Sequence, residues 1–212
     1  MTIVIVDYEV GNFRNVQRAF EKINTETIIS SDPDVISSAP AIVLPGVGAF
    51  RTAMDNIERL ELDSVLNNRA AVGTPILGIC LGMQLLAKTS TEGGGLRKGL
   101  GLLPMEVEQL SVQNTDLRLP HIGWNNISVS PNSQLFQGIE TPDPDFYFVH
   151  SFRVIPTDAS IISAICSYGN DFVCAAEWGS IFAVQFHPEK SQQYGREVLK
   201  AFAEISQTSS SA

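Results

Sequence analysis

Four apolar runs in the first eighty residues constrain the fold more than any other feature of this chain. They are residues 2–8 (TIVIVDY), 25–30 (TETIIS), 41–46 (AIVLPG) and 74–80 (TPILGIC). Between them lie segments of helical period: Val16, Ala19, Phe20 and Ile23 make one apolar face, and residues 53–70 (AMDNIERLELDSVLNNRA) read as a helix. Strands so continuously apolar are covered on both faces, and strand–helix alternation builds a parallel sheet with helices on either side. The fourth run passes straight into another predicted helix, residues 81–89 (LGMQLLAKT).

After Gly99 the texture changes. Residues 102–110, 122–130, 145–155, 161–169, 171–179 and 181–187 read as strands, with YGND and WGS as hairpin connections. An amphipathic helix over 194–205 closes the pattern, and the polar tail 206–212 (SQTSSSA) is expected to fray. With 212 residues, no repeat and no long linker, a single domain over 1–205 is expected.

A net charge of −9 leaves no electrostatic footprint for nucleic acid or an anionic membrane, so a small molecule or another protein is the expected partner. No apolar run reaches the roughly 18 residues of a membrane span, and no leader pattern opens the chain, which predicts a cytoplasmic protein. Cys80, Cys166 and Cys174 form no CxxC pair and read as reduced thiols; with His121, His150 and His187 scattered singly, neither a metal site nor a cofactor is expected. Cys166 and Cys174 sit in apolar strand runs and read as core, and His121 and His150 as structural histidines.

Cys80 is different. In GICLG it ends a buried strand between two glycines, where a tight strand-to-helix turn would lift its side chain out at the carboxyl edge of the sheet. Ligands of open α/β sheets bind at that edge, and a helix N-terminus behind the thiol favours the nucleophilic anion. A lone cysteine in an apolar run is equally a core residue, so the pentapeptide leaves both readings open. The segment VQFHPEKS supplies the base a nucleophile needs. His187 and Glu189 are two apart, and on an extended chain they share a face with Cα atoms about 6–7 Å apart. Pro188 favours that extension. Glu189 would then orient the imidazole and His187 would take the thiol proton. A third strand end, LPGVGAF, places Val47 between two glycines. Backbone N–H groups there, with that of Leu81, suit an oxyanion hole.

PGVGAF, GICLGMQLL and QFHPEKS, in this order and spacing, resemble the class I glutamine amidotransferases over about residues 2–205. The resemblance implies a flavodoxin-like α/β fold, with a mostly parallel central sheet, helices on both faces and a β-rich C-terminal half. It also implies a Cys80–His187–Glu189 triad hydrolysing L-glutamine through a thioester, and a glutamine pocket at Gly48, Gln84, Glu92, Ser151 and Phe152. DYEVGN, PHIGWN and FYFVHSF are similar to the branch of the family that docks on a (β/α)₈-barrel cyclase, which implies a heterodimer with Asn12, Trp124, Tyr147 and Lys190 facing that partner. A paralogous subunit feeding another synthase, such as one amidating a surface-polysaccharide sugar, shares the same triad. Glu9 stands where the family has glycine, which is expected to remove φ > 0 there and to put a carboxylate near the partner face.

Overall fold

In the computed structural model, which describes residues 1–113 and 115–209, the alternation of the first half becomes β1 (Ile3–Val6), α1 (Phe13–Glu21), β2 (Thr27–Ser30), α2 (Pro33–Ser37), β3 (Ile42–Gly46), α3 (Phe50–Arg59), α4 (Leu62–Ala71), β4 (Ile76–Cys80) and α5 (Leu81–Leu85). The β-rich half follows as β5 (Thr89–Ser90), β6 (Arg97–Lys98), β7 (Met105–Gln109), β8 (His121–Val129), β9 (Asp145–His150), β10 (Phe152–Pro156), β11 (Ile162–Tyr168), β12 (Asn170–Trp178) and β13 (Ile181–Val184), closed by α6 (Gln192–Ser209). Strands β2, β1, β3, β4 and β13 lie side by side and parallel, in the doubly wound order 2-1-3-4-5 if β13 is counted as the fifth. From β13 the sheet continues antiparallel through β12, β10 and β7, with β11, β8 and β9 branching from β12.

Alternation along β1 explains why helices cover both faces. Val4 and Val6 pack with Ile36, Phe50, Ile57, Leu62 and Leu66 on one side. Ile3 and Ile5 pack with Val16, Phe20, Val198, Leu199 and Phe202 on the other. Each such side chain, once buried, contributes about 1.5–3 kcal/mol of transfer free energy. The predicted hairpins form at Gly169 (φ 73°) between β11 and β12 and at Gly179 (φ 58°) between β12 and β13. Among the described residues no helix is long and apolar enough to cross a membrane.

Four expectations are corrected. The helix expected over 53–70 is two, broken where Glu61 takes a left-handed conformation (φ 58°). The helix expected over 81–89 stops at Leu85, because the Leu85, Leu86 and Ala87 carbonyls accept from Leu100, Leu103 and Gly101 instead of continuing the ladder. The run 145–155 divides at Ser151 into β9 and β10. The tail expected from 206 begins inside α6: Ser206 is buried and its hydroxyl donates to the Phe202 carbonyl, and the helix holds to Ser209. Residues 210–212 of that tail lie outside the described residues.

Candidate active site

The site is assembled at the carboxyl ends of three adjacent parallel strands. Cys80 ends β4, and its register partner on one side is Gly46, the last residue of β3. On the other side Val184 ends β13, and the chain runs on through Gln185 to His187. Neighbouring parallel strands of matched length thus bring residues 46–48, 80 and 185–189 to one edge, although the last segment lies more than a hundred positions beyond Cys80 in sequence.

The elbow at Cys80 works differently from the sequence expectation. Cys80 itself holds the left-handed backbone (φ 55°, ψ −107°), a conformation that costs a non-glycine residue on the order of 1–3 kcal/mol and that gathers at functional sites. The flanking glycines serve close approach instead. A Cβ on Gly82 would sit 1.6 Å from the Leu44 carbonyl oxygen, and one on Gly78 would meet the Gly82 backbone at 2.8 Å. Removing two methyl groups lets α5 press onto β3 and β4, and that turn projects the cysteine.

His187 Nδ1 lies 2.8 Å from Glu189 Oε1, with both side chains 2% exposed. The pair is not made by an extended segment. His187 is extended, as a residue before proline should be, but residues 188–190 form a 3₁₀ turn that brings Glu189 back beneath the imidazole. The turn is clipped to β9, because the His187 N–H donates to the Tyr147 carbonyl while the Ser191 hydroxyl accepts from Tyr147 N–H and donates to the His187 carbonyl. With Nδ1 committed to Glu189, Nε2 is buried and left for a proton-transfer partner. Burial pulls the imidazole toward neutrality, and interaction with Cys80 and then Glu189 overrides it, leaving His187 pushed up to about 10. That setting lets His187 hold a proton beside the sulfur.

A cleft of about 430 Å³ opens beside the cysteine, lined by Val47, Gly48, Cys80, Leu81, Gln84, Glu92, Ser151 and Phe152 among others. All residues expected for the oxyanion hole and glutamine pocket therefore converge on one cavity. Gly48 (φ 107°) has open space around it, as a ligand-facing backbone requires. Glu92 is no loose loop acid: its carboxylate accepts from Phe50 N–H at 2.9 Å, at the N-terminus of α3. Gln84 is buried and donates to the Phe152 carbonyl at 3.2 Å and to Gln185 Oε1 at 3.1 Å. Gln185, fully buried, was not singled out from the sequence. Its signal was there: one amide inside the apolar run IFAVQF, two residues before His187.

Of the residues expected to face a partner, three gather at the rim. Trp124 and Tyr147 are register partners on β8 and β9 with ring centroids 6.2 Å apart, and Lys190 Nζ lies 5.3 Å over the Tyr147 ring. Asn12 stands at the start of α1, a helix that packs against the 188–190 turn carrying Lys190. Glu9 keeps the left-handed backbone (φ 70°) that its side chain was expected to remove, and its carboxylate pairs with Arg59. Cys166 and Cys174 are buried core residues; burial pushes the first to about 12 and the second well above the ordinary thiol value.

This geometry agrees with what comparison finds. Residues 4–205 match the family "Glutamine amidotransferase class-I". The chain belongs to the class I glutamine amidotransferase family. Among curated relatives, the imidazole glycerol phosphate synthase subunit HisH of Moorella thermoacetica is 43% identical over 203 residues, 96% of this chain and 94% of that one. The HisH subunit of Aquifex aeolicus is 45% identical, covering 95% of this chain and 96% of its own length. Among solved structures, PurLQS from Thermotoga maritima superposes with a TM-score of 0.75 at 19% identity, over 96% of this chain and 98% of that one, a likeness of fold.

Proposed function

We propose that this chain is the glutaminase subunit of an imidazole glycerol phosphate synthase, a single amidotransferase domain that hydrolyses L-glutamine and hands ammonia to a (β/α)₈-barrel cyclase in histidine biosynthesis. One observation carries the chemistry. A strained cysteine faces a buried His187–Glu189 pair in a cleft ringed by Gly48, Gln84, Glu92, Ser151 and Phe152. The HisH name of relatives matching almost end to end supports the choice of acceptor.

In this reading the Cys80 proton resides on His187, and Sγ forms a bond to the side-chain amide carbon of glutamine. The carbonyl oxygen, now an oxyanion, is held by backbone N–H groups of Val47 or Gly48 and of Leu81. Collapse breaks the C–N bond as His187 returns its proton to the leaving nitrogen, which departs as ammonia. Water then gives a proton to His187 and its oxygen to the thioester; the C–S bond breaks, glutamate leaves, and Sγ departs as the thiolate beside protonated His187, the state in which the cycle began. Glu92 suits the α-ammonium of the substrate. The backbone at Ser151 and Phe152, with Gln84, positions the rest.

Ammonia loose in neutral water becomes ammonium, which is no nucleophile, so a partner must receive it directly. Trp124, Tyr147 and Lys190, at the cleft rim, suit that docking surface. Such a biosynthetic role, with unpaired thiols, fits a cytoplasmic setting. Glutamate release should be slow for the subunit alone and strongly stimulated by the barrel cyclase with its nucleotide ligand. In Cys80→Ser it should fall by at least about 10³-fold under both conditions. Equal turnover with and without the cyclase would overturn the choice of acceptor, and undiminished turnover in Cys80→Ser the choice of nucleophile.

A further inference from the structure

Gln185 is fully buried beside the nucleophile, its Nε2 3.7 Å from Cys80 Sγ. Its orientation is dictated through a chain of hydrogen bonds that begins at a backbone carbonyl. The Phe152 oxygen can only accept, so the Gln84 amide must present its NH₂ group there, at 3.2 Å. That same nitrogen donates to Gln185 Oε1 at 3.1 Å, which leaves Gln185 with its own NH₂ toward the sulfur. The Phe152 oxygen is anchored a second time by His150 Nδ1 at 2.8 Å, and His150 Nε2 accepts from His121 Nδ1 at 3.0 Å. His121 is in turn stacked between Phe148 and Tyr168. Every link has a fixed donor direction, and the relay ends with an N–H group at the reacting atom.

We infer that Gln185 is a further functional residue of the glutaminase reaction: its amide donates a hydrogen bond to the Cys80 thiolate, and the Gln84–Phe152–His150 relay keeps that donor facing the sulfur. This deepens the proposed function and rests on Cys80 being its nucleophile. A donor is needed there for a physical reason. Helix α5, directly after Cys80, is only five residues long, so the helix-terminus effect expected from the sequence is small. An anion this buried must be hydrogen-bonded or paired, and a directed amide supplies what the short helix does not. The titratable groups around the thiol are His187 on the turn after β13, backed by Glu189; Tyr8 beyond the end of β1; and, lining the cleft, Glu92, Lys190 and His150 at the end of β9, which burial lowers to about 4 and so keeps neutral across the range tested. Gln185 is neutral at every pH, so its contribution is separable from theirs.

The test reads the thiol directly, with no substrate present: the rate of Cys80 alkylation by iodoacetamide, followed from pH 5 to 10 by mass spectrometry. Gln185→Leu should move the profile upward by about one pH unit, which lowers the rate about tenfold on its acid limb. Gln185→Glu, which sets a carboxylate against the thiolate, should move it further. Gln84→Ala leaves Gln185 in place but undirected, and should produce a smaller shift in the same direction. This third variant answers the case in which the buried Gln185 substitutions do not fold. Profiles coinciding with that of the unaltered chain, in variants of unchanged circular dichroism, would overturn the inference while leaving the glutaminase reading intact. A Cys80 inert to iodoacetamide in the unaltered chain would overturn both.

Discussion

At the scale of single residues, backbone contact and side-chain chemistry are divided in a way that motif reading does not anticipate. The glycines of GICLG suggest conformational freedom, but neither Gly78 nor Gly82 uses it; the left-handed backbone belongs to Cys80. What the glycines supply is absence of bulk. Gly82→Ala would put a methyl group 1.6 Å from the Leu44 oxygen and push α5 off β3. It should therefore destabilise the protein by at least about 3 kcal/mol in urea denaturation, more than ordinary overpacking. A loss under about 1 kcal/mol would mean that the two backbones can separate freely. Glu9 gives the complementary lesson: a non-glycine residue holds φ 70° where glycine was expected to be required, beside a pairing with the exposed Arg59. An exposed pair of this kind is worth little by itself, and the turn is also held by Asp7, whose carboxylate accepts from the Glu9 N–H.

At the scale of elements, the triad depends on how α6 meets the turn that carries it. Gly195, in the first turn of α6, packs so tightly under residues 188–190 that a Cβ there would lie 2.0 Å from the Pro188 oxygen. Pro188 separates His187 from Glu189. Gly195→Ala should therefore shift the imidazole against the sulfur and lower kcat on the order of 10²-fold, although residue 195 does not line the cleft. Steady-state glutaminase kinetics, run with the cyclase, check this: a fall in kcat with little change in KM is expected. A change confined to KM would show that the turn tolerates the displacement. The sequence reading placed His187 and Glu189 together for an incomplete reason. Period-two alternation holds for a strand, but the proline that extends His187 also starts a 3₁₀ turn, and the turn makes the 2.8 Å contact.

For the whole molecule, burial of imidazoles predicts how stability depends on pH. Burial lowers both His121 and His150 to about 4. Between about pH 6.5 and 4 the unfolded chain therefore binds protons that the folded chain refuses, and stability falls as pH drops through that window. His187 acts in the opposite sense: raised to about 10, it contributes fully below about pH 6.5, and that contribution is lost as pH rises through 10. Thermal unfolding from pH 4 to 10 should show both limbs. Replacing His121 and His150 together by phenylalanine should flatten the acid limb relative to the unaltered chain; an acid limb of unchanged slope would show that carboxylates alone set it.

Much of this was readable from the chain alone. The continuous apolar character of β1, β3 and β4 specified buried parallel strands, because only strands covered on both faces lack polar alternation. Three strand-end motifs, at Gly46, Cys80 and His187, identified the chemistry by residue type. The tertiary fold decided which strands are neighbours. Placing β13 beside β4 puts His187 next to Cys80, and no local pattern encodes that adjacency. It also decided the role of the polar residues between those motifs. Gln84 read as an amide free to reach a substrate, and His150 as a structural histidine. Each acquires a donor direction only when a carbonyl from β10, sixty-eight residues beyond Gln84, closes the network around them. Local sequence sets what a side chain can donate or accept, whereas the direction of a buried hydrogen bond is set by the partners that remote strands bring to it.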